Sequence, residues 1–240
     1  MGEPEVAQVP AGLTDAGGRV VASGMDGSAG LLLVVSATLL GLALSPLTES
    51  AIARRLPRLG CRNTAPIRIT TAVLTGILCG AFTWRLGMDL SLPAFIFLAV
   101  IGVQLSRIDI ALHLLPNPLV LILLAGGFFL LLMPGLLNLQ ADNLLRSVLG
   151  ALILFAGYLI LGLISPGAIG MGDVKLAAPV GLYLGYLGWG QLLYGGLLCF
   201  IFNGLVTVAV LSKKGRKEAT EVAHGPSMLG ALAGTLLFLR

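Results

Sequence analysis

The sequence predicts an all-α integral membrane protein, a polytopic bundle of about eight transmembrane helices. Hydrophobic residues make up 57% of the 240 residues, charged residues only 11%, and the mean hydropathy is +0.98. Apolar runs of about 20 residues rise about 30 Å as helices, which matches the hydrocarbon core of a bilayer. A transmembrane barrel would need alternating polar and apolar residues, and these Leu-, Gly- and Ala-rich runs do not alternate.

Among the first four spans, a basic segment separates the first from the second, and a proline corner separates the third from the fourth. The first ends before "ARRLPRLGCR", and the second and third lie between that segment and "RIDIALHLLPN". Pro116 and Pro118 favour an extended corner before the fourth, because proline disfavours helix in the residue that precedes it. These spans are predicted at residues 29–47, 67–85, 90–107 and 117–137.

The last four spans follow a short polar segment after residue 137. A glycine-rich segment beginning at Pro166 precedes the sixth span, which is predicted to start at Asp173. The sixth and seventh flank Trp189 with almost nothing between them, so a count of seven spans remains an alternative. The eighth has a short apolar part. These spans are predicted at residues 144–164, 173–189, 190–211 and 225–239.

The remaining N-terminal residues and the cysteines add little chemistry. Residues 1–28 are acidic and rich in glycine and proline, and they predict a disordered extracytoplasmic tail before one transmembrane domain at 29–240. They lack the basic and apolar regions of a secretory signal. Cys61, Cys79 and Cys199 form no Cys-x-x-Cys pair, so neither a metal site nor a disulfide framework is predicted.

The basic residues predict the topology. Cytoplasmic loops carry an excess of Lys and Arg, and here eleven of the fifteen basic residues fall on one side of the predicted bundle. This arrangement places both termini outside and excludes a nucleic-acid partner, since the charge lies in short loops between apolar spans. The predicted cytoplasmic loops are about 48–66, 107–117, 165–173 and 212–224.

Two aspartates lie at this cytoplasmic boundary, Asp109 in "RIDIALHLLPN" and Asp173 in "GAIGMGDVKL". Alone, each is most simply a solvated charge or a helix cap, and His113 and Lys175 are most simply interfacial groups. Both acids share one side and depth in a chain with few acids within its spans, and ionisable groups there tend to be functional. The pair is therefore a candidate catalytic site.

Two carboxyl groups held close together in a low dielectric cannot both ionise easily, so they share a proton. This is the arrangement of an aspartic protease, in which one carboxylate activates water and the protonated partner polarises the carbonyl. A helix N-terminus at Asp173 would favour its anion, which assigns the shared proton to Asp109.

Three blocks of the sequence resemble the type IV prepilin peptidases, the GxGD membrane aspartic proteases of peptidase family A24. "IDIALHLLPN" at 108–117 looks like the first-aspartate block, "GMGDVKL" at 170–176 the second, and "HGPSMLGA" at 224–231 the late Gly-Pro block. The resemblance implies that Asp109 and Asp173 are catalytic. The residues matching the motifs around them are Gly170, Gly172, Lys175, Pro116, Asn117, Gly225 and Pro226.

The resemblance also implies a substrate and a compartment. The expected partner is a prepilin or pseudopilin precursor, whose short basic leader is cut at the cytoplasmic face of the plasma membrane. Larger members of the family bind zinc through two Cys-x-x-Cys pairs in an insert and also N-methylate the product. That insert lies between the first two spans. In this sequence the loop between those spans contains only Cys61, and a single cysteine cannot form a four-ligand zinc site. We expect proteolysis without a cofactor, with S-adenosylmethionine needed only if methylation is retained.

Other functions remain alternatives at this stage. A relative of signal peptide peptidase or presenilin would carry a Tyr-Asp pair and a Pro-Ala-Leu block, whereas Ile108 precedes Asp109 here. A small transporter or assembly subunit could use the two aspartates as a proton or cation relay, although no repeat of broken helices is evident. An inactive scaffold would not need both acids. The sequence leaves the oligomeric state open.

Overall fold

The computed structural model describes residues 27–55, 64–137, 141–164, 169–214 and 223–239. These described residues form eight α-helices and no β-strand, which confirms the all-α prediction. The helices are α1 (Gly27–Arg55), α2 (Ala65–Leu86), α3 (Leu92–Leu112), α4 (Asn117–Leu137), α5 (Ala141–Ile164), α6 (Met171–Leu187), α7 (Trp189–Lys214) and α8 (Gly225–Phe238).

Six of the described helices, α1 to α5 and α7, are long and apolar enough to cross a membrane. The α6 helix has 17 residues and α8 has 14, so both are shorter than the others. Gly188 separates α6 from α7 with φ 154° and ψ 166°, a conformation that glycine adopts readily and other residues do not. The sixth and seventh predicted spans are therefore separate helices.

Several predicted boundaries were wrong by a few residues. The α1 helix continues to Arg55 and α3 continues to Leu112, so the predicted loops at 48–66 and 107–117 are partly helical. The α6 helix begins at Met171, inside the predicted loop at 165–173. The apolar runs stop at the first polar residues, whereas backbone hydrogen bonding continues through them. Gly27 and Ser28 are already helical, and the rest of the predicted tail lies outside the described residues.

The centre of the bundle is built around α3 and α6. Helices α4 and α8 each contact both of them, while α1 and α2 cover α3, and α5 and α7 cover α6. The C-terminal end of α3 and the N-terminal end of α6 carry the two aspartates of the sequence motifs. The fold thus brings those two helix ends to the same end of the bundle.

Glycines place α5 and α6 in backbone contact. A Cβ atom on Gly181 would overlap the carbonyl oxygen of Gly150, and one on Gly150 would lie 2.5 Å from the carbonyl oxygen of Gly181. The Ser147 hydroxyl donates a hydrogen bond to the Leu182 carbonyl at 2.7 Å. Small residues allow such close approach between membrane helices, and here they fix the position of α6.

Candidate active site

Asp109 lies in the last turn of α3 and is only 5% exposed. Its Oδ2 accepts a hydrogen bond from the backbone N–H of Gly225, the first residue of α8, at a donor–acceptor distance of 2.9 Å. A Cβ atom on Gly225 would lie 2.8 Å from the same oxygen, closer than side-chain carbons normally approach. The absence of a side chain at Gly225 therefore lets the α8 backbone contact this carboxyl group.

The helix carrying Asp109 ends at Leu112, and His113 caps it. His113 adopts the left-handed conformation, with φ 49° and ψ 39°, and its backbone N–H donates to the Asp109 carbonyl at 2.8 Å. The His113 side chain is exposed. Pro116 follows, and its carbonyl accepts the N–H groups of Leu119 and Val120, so it caps the N-terminus of α4. The predicted corner after Asp109 is thus present.

Asp173 lies in the first turn of α6 and is partly buried. The residue that caps this helix is Gly170, so the simplest interpretation of Asp173 as the N-cap was wrong. The Asp173 backbone N–H donates to the Gly170 carbonyl at 3.0 Å, and the carboxyl group lies against the Gly170 backbone, as an acid does at this position of a capping box. A Cβ atom on Gly170 would lie 3.2 Å from Asp173 Oδ2.

The two carboxyl groups are close enough to interact electrostatically. Asp109 comes from the C-terminal end of α3 and Asp173 from the N-terminal end of α6, and each carboxyl group lies against the backbone of a glycine. A carboxyl pair in a partly water-excluded setting can share one proton and exchange it with a reacting group. This interacting pair of carboxyl groups is therefore a candidate for acid–base chemistry.

The segment that contains both aspartates matches a known family. Residues 94–212 fit the sequence profile of the type IV leader peptidase family. This segment of the chain belongs to the family. The predicted resemblance to the type IV prepilin peptidases is confirmed. No solved structure matches the chain.

Three curated relatives are named prepilin leader peptidase/N-methyltransferase. The protein of Aeromonas hydrophila is 29% identical over 182 residues, 75% of this chain and 61% of that protein. The protein of Xanthomonas campestris pv. campestris is 33% identical over 175 residues, 69% of this chain and 56% of that protein. The protein of Stutzerimonas stutzeri is 30% identical over 165 residues, 68% and 55% of the two chains. The chain thus spans 55% to 61% of the length of these relatives.

The other motif residues join α6 to its neighbours in the turn that carries Asp173. Lys175 donates a hydrogen bond from Nζ to Asn117 Oδ1 at 2.9 Å, which ties the first turn of α6 to the first residue of α4. A Cβ atom on Gly172 would lie 3.0 Å from the Cβ of Leu115, so the corner after α3 lies against α6. Pro226 follows Gly225 in the first turn of α8.

Two groups of functional interest were missed by sequence reasoning. Tyr158 is fully buried in α5, and its hydroxyl lies 3.1 Å from Nε2 of His224, the residue before Gly225. Burial lowers the pKa of His224. His224 lies in the late Gly-Pro block, and this position could have marked it as a candidate site residue. Tyr158 lies in an apolar run, where the sequence gives no such indication.

The second missed group is a buried ion pair on the α1 side of α3. Glu49 in α1 lies 3.5 Å from Arg107 in α3 and 3.6 Å from Arg68 in α2. Gln104 donates to the Ser45 carbonyl at 3.2 Å beside it. These contacts join three helices at the end of the bundle that carries Asp109.

Metal-ligating side chains do not cluster in the part of the chain that the structure describes. No group of three His, Cys, Asp or Glu side chains there could hold a metal ion. Cys79 and Cys199 are free and buried in α2 and α7, and Cys61 lies outside the described residues. With only three cysteines in the chain, a four-cysteine zinc site does not fit this sequence.

Proposed function

We propose that this chain is an aspartic endopeptidase that removes the leader of prepilin or pseudopilin precursors, with Asp109 and Asp173 as its catalytic pair. The observation that carries the proposal is the meeting of the two motif aspartates at one end of the bundle, close enough to interact. Each acid comes from a separate motif block, and both lie in the segment that matches the leader peptidase family. The related proteins from Aeromonas and Xanthomonas carry the name prepilin leader peptidase.

The proposed reaction uses one shared proton. The ionised member of the pair takes a proton from a water molecule as the water oxygen attacks the scissile carbonyl carbon, and the protonated member gives its proton to the carbonyl oxygen. When the carbon–nitrogen bond breaks, the leaving amine takes the proton that came from water. The proton on the former carbonyl oxygen returns to the pair, so a new carboxyl group forms and the pair again shares one proton. The Gly225 N–H occupies Asp109 Oδ2 and leaves Oδ1 for the substrate.

The proposed site faces the cytoplasm of a plasma membrane. Arg54 and Arg55 end α1, and Arg68 lies near the start of α2. The contacts of Glu49 with Arg68 and Arg107 join this basic end to the α3 turn that precedes Asp109. The excess of basic residues in cytoplasmic loops then assigns the aspartates to the inner boundary. A peptide bond just outside the apolar helix of a membrane-anchored precursor can reach them there.

We propose cleavage without methylation. The relatives are named as both peptidase and N-methyltransferase. The segment between α1 and α2 is short and holds one cysteine, so it offers no cysteine set for zinc. S-adenosylmethionine would be needed only if a methyltransferase activity were retained, and mass spectrometry of the mature N-terminus reports that directly.

The test is cleavage of a co-expressed prepilin, measured by its mobility on gels. We expect the wild type to cleave and both Asp109→Asn and Asp173→Asn to lose cleavage, because each amide removes one half of the proton exchange. Asp142→Asn is the matched control, since Asp142 also lies in the first turn of a helix but is exposed at the start of α5. Cleavage at the wild-type rate by either catalytic variant would contradict the two-aspartate mechanism.

A further inference from the structure

A buried polar cluster that the proposed reaction does not use lies beside the aspartates. Tyr158 in α5 and His224 before α8 are joined at 3.1 Å, and they are 1% and 8% exposed. The Tyr158 ring stacks on Phe200 of α7 at a centroid distance of 5.1 Å. The cluster therefore joins three helices through side chains rather than through lipid-facing contacts.

The hydrogen bond between Tyr158 and His224 is made at Nε2 of the ring. A protonated Nε2 of neutral His224 donates to the Tyr158 oxygen, and an unprotonated Nε2 accepts from the Tyr158 hydroxyl. The Cys199 thiol of α7 donates to the Met228 carbonyl at 3.9 Å. In the described part of the chain, Nδ1 of His224 is buried without a hydrogen-bond partner. Nε2 is thus the ring atom through which the protein holds this histidine.

The cluster is connected to Asp109 through the backbone, and it lies near enough to Asp173 to interact electrostatically. The carbonyl group of His224 and the N–H of Gly225 belong to one peptide unit, and this N–H donates to Asp109. Tyr158 interacts electrostatically with Asp173. A rotation of the His224 backbone would turn the Gly225 N–H away from Asp109, because the peptide unit is planar.

We propose that Tyr158 and His224 are positioning residues for Asp109. Their hydrogen bond holds the His224–Gly225 peptide in the orientation that lets its N–H bind Asp109, and it fixes α5 against the start of α8. The consequence for catalysis rests on the proposed peptidase function. The consequence for the Gly225 hydrogen bond does not, so the two can be tested apart.

The simpler interpretation is that this hydrogen bond only satisfies two buried polar groups. A matched control separates the two interpretations. Tyr183 is also a fully buried tyrosine, and its hydroxyl donates to the Ala94 carbonyl at 3.0 Å. It lies ten residues after Asp173 in α6, about 15 Å along the helix. Tyr183→Phe therefore removes an equivalent buried hydrogen bond far from the aspartates.

The structural arm of the test uses a label that the sequence makes unique. Of the two histidines, His113 is followed by leucine and only His224 is followed by glycine. Protein with carbonyl-¹³C histidine and ¹⁵N glycine therefore gives a single carbonyl–amide correlation by NMR, from the Gly225 amide. We expect Asp109→Asn and Tyr158→Phe each to move this signal upfield in the proton dimension, and Tyr183→Phe to leave it in place.

The kinetic arm measures prepilin cleavage per folded protein. We expect Tyr158→Phe and His224→Phe each to lower kcat about tenfold or more with little change in KM, since misplaced catalytic groups slow the chemical step. The double variant should lose little more than either single variant, because both remove one hydrogen bond. His224→Gln retains an N–H donor and should have a higher kcat than His224→Phe. The control Tyr183→Phe should have the kcat of the wild type.

The outcomes are distinguishable. An unmoved Gly225 signal in Tyr158→Phe overturns the proposal whether or not the protein cleaves prepilin. A moved signal with wild-type kcat overturns the catalytic half and leaves a structural hydrogen bond. Failure of the wild-type protein to cleave would count against the proposed peptidase function, while the Gly225 signal would still decide whether the pair positions that amide.

Discussion

At the scale of single residues, Gly225 shows how closely the backbone approaches the proposed catalytic pair. Its N–H binds Asp109, and the space where a side chain would stand is filled by that carboxyl group and by Leu115. Gly230 lies five residues later in α8, where a Cβ atom would meet none of the described atoms within 4 Å. The two glycines of one helix thus stand in opposite environments.

We expect Gly225→Ala to lower prepilin cleavage about a hundredfold, because the new methyl group would displace Asp109 and small misplacements of catalytic groups are costly. The control is Gly230→Ala, which adds the same methyl group to the same helix in open space and should cleave normally. Time courses of prepilin processing at matched protein levels provide the measurement. Equal activity of the two variants would show that the close approach at Gly225 has no catalytic consequence.

At the scale of helices, the position of Asp173 depends on how α6 lies against α5. The two helices meet through Gly150, Gly181 and Gly185, and Arg146 donates from Nε to the Gly185 carbonyl at 2.7 Å. Gly157, also in α5, has no described atom within 4 Å of the Cβ position. The contact between these helices therefore tolerates no side chain at Gly181, whereas the neighbouring surface does.

We expect Gly181→Ala to destabilise the protein by about 1–3 kcal/mol, the usual range for an added group that forces apart a close contact. Cleavage should fall as well, because α6 carries Asp173. Gly157→Ala is the control and should change neither property. The measurements are the midpoint of thermal unfolding in detergent and the rate of prepilin processing. An unchanged midpoint for Gly181→Ala would mean that the two helices can separate without cost.

The helices themselves were predictable, because lipid demands long apolar runs and the polar residues between them are few. The positions of the helix ends were less predictable. Glu49 and Arg107 are charged residues inside α1 and α3, and a search for apolar runs stops at them. They are accommodated because they pair with each other across the two helices. Sequence patterns along one helix do not reveal a partner on another.

The residues proposed for the site could be named from the sequence, but their contacts could not. The aspartates stood in recognisable motifs, while the hydrogen bond from Gly225 to Asp109 joins residues 116 positions apart. Tyr158 lies in an apolar run and resembles a lipid-facing residue until α7 and His224 are placed beside it. Such contacts depend on the three-dimensional arrangement of the helices, which periodicity along the chain does not specify.

At the scale of the whole molecule, the stability of the fold should depend on pH through His224. Its pKa lies below the usual value of 6.5 because burial disfavours the charged ring. The unfolded chain regains the usual pKa, so it binds a proton first as the pH falls. The stability from a neutral, buried His224 is therefore fully present above pH 6.5 and is lost as the pH falls toward the folded-state pKa.

We expect the thermal unfolding midpoint to fall between about pH 7.5 and pH 5.5, and His224→Gln to reduce this fall. Each unit by which the His224 pKa is lowered corresponds to about 1.4 kcal/mol. The comparison is made in the Asp109→Asn/Asp173→Asn background, so that the carboxyl pair does not contribute. The Tyr158 phenol and Cys199 thiol beside the ring do not ionise in this range. The exposed His113 supplies the control variant His113→Gln, which should retain the full pH dependence.

The hydrogen bond from α8 to Asp109 also bears on the biogenesis of the protein. During synthesis, α3 enters the bilayer long before α8 is translated, and until then Asp109 lacks the amide that holds it in the folded chain. The insertion of α8 is thus the step that completes the environment of Asp109. Ribosome-bound chains that stop before α8 would contain every helix that carries an aspartate of the pair, yet they would not have the assembled site.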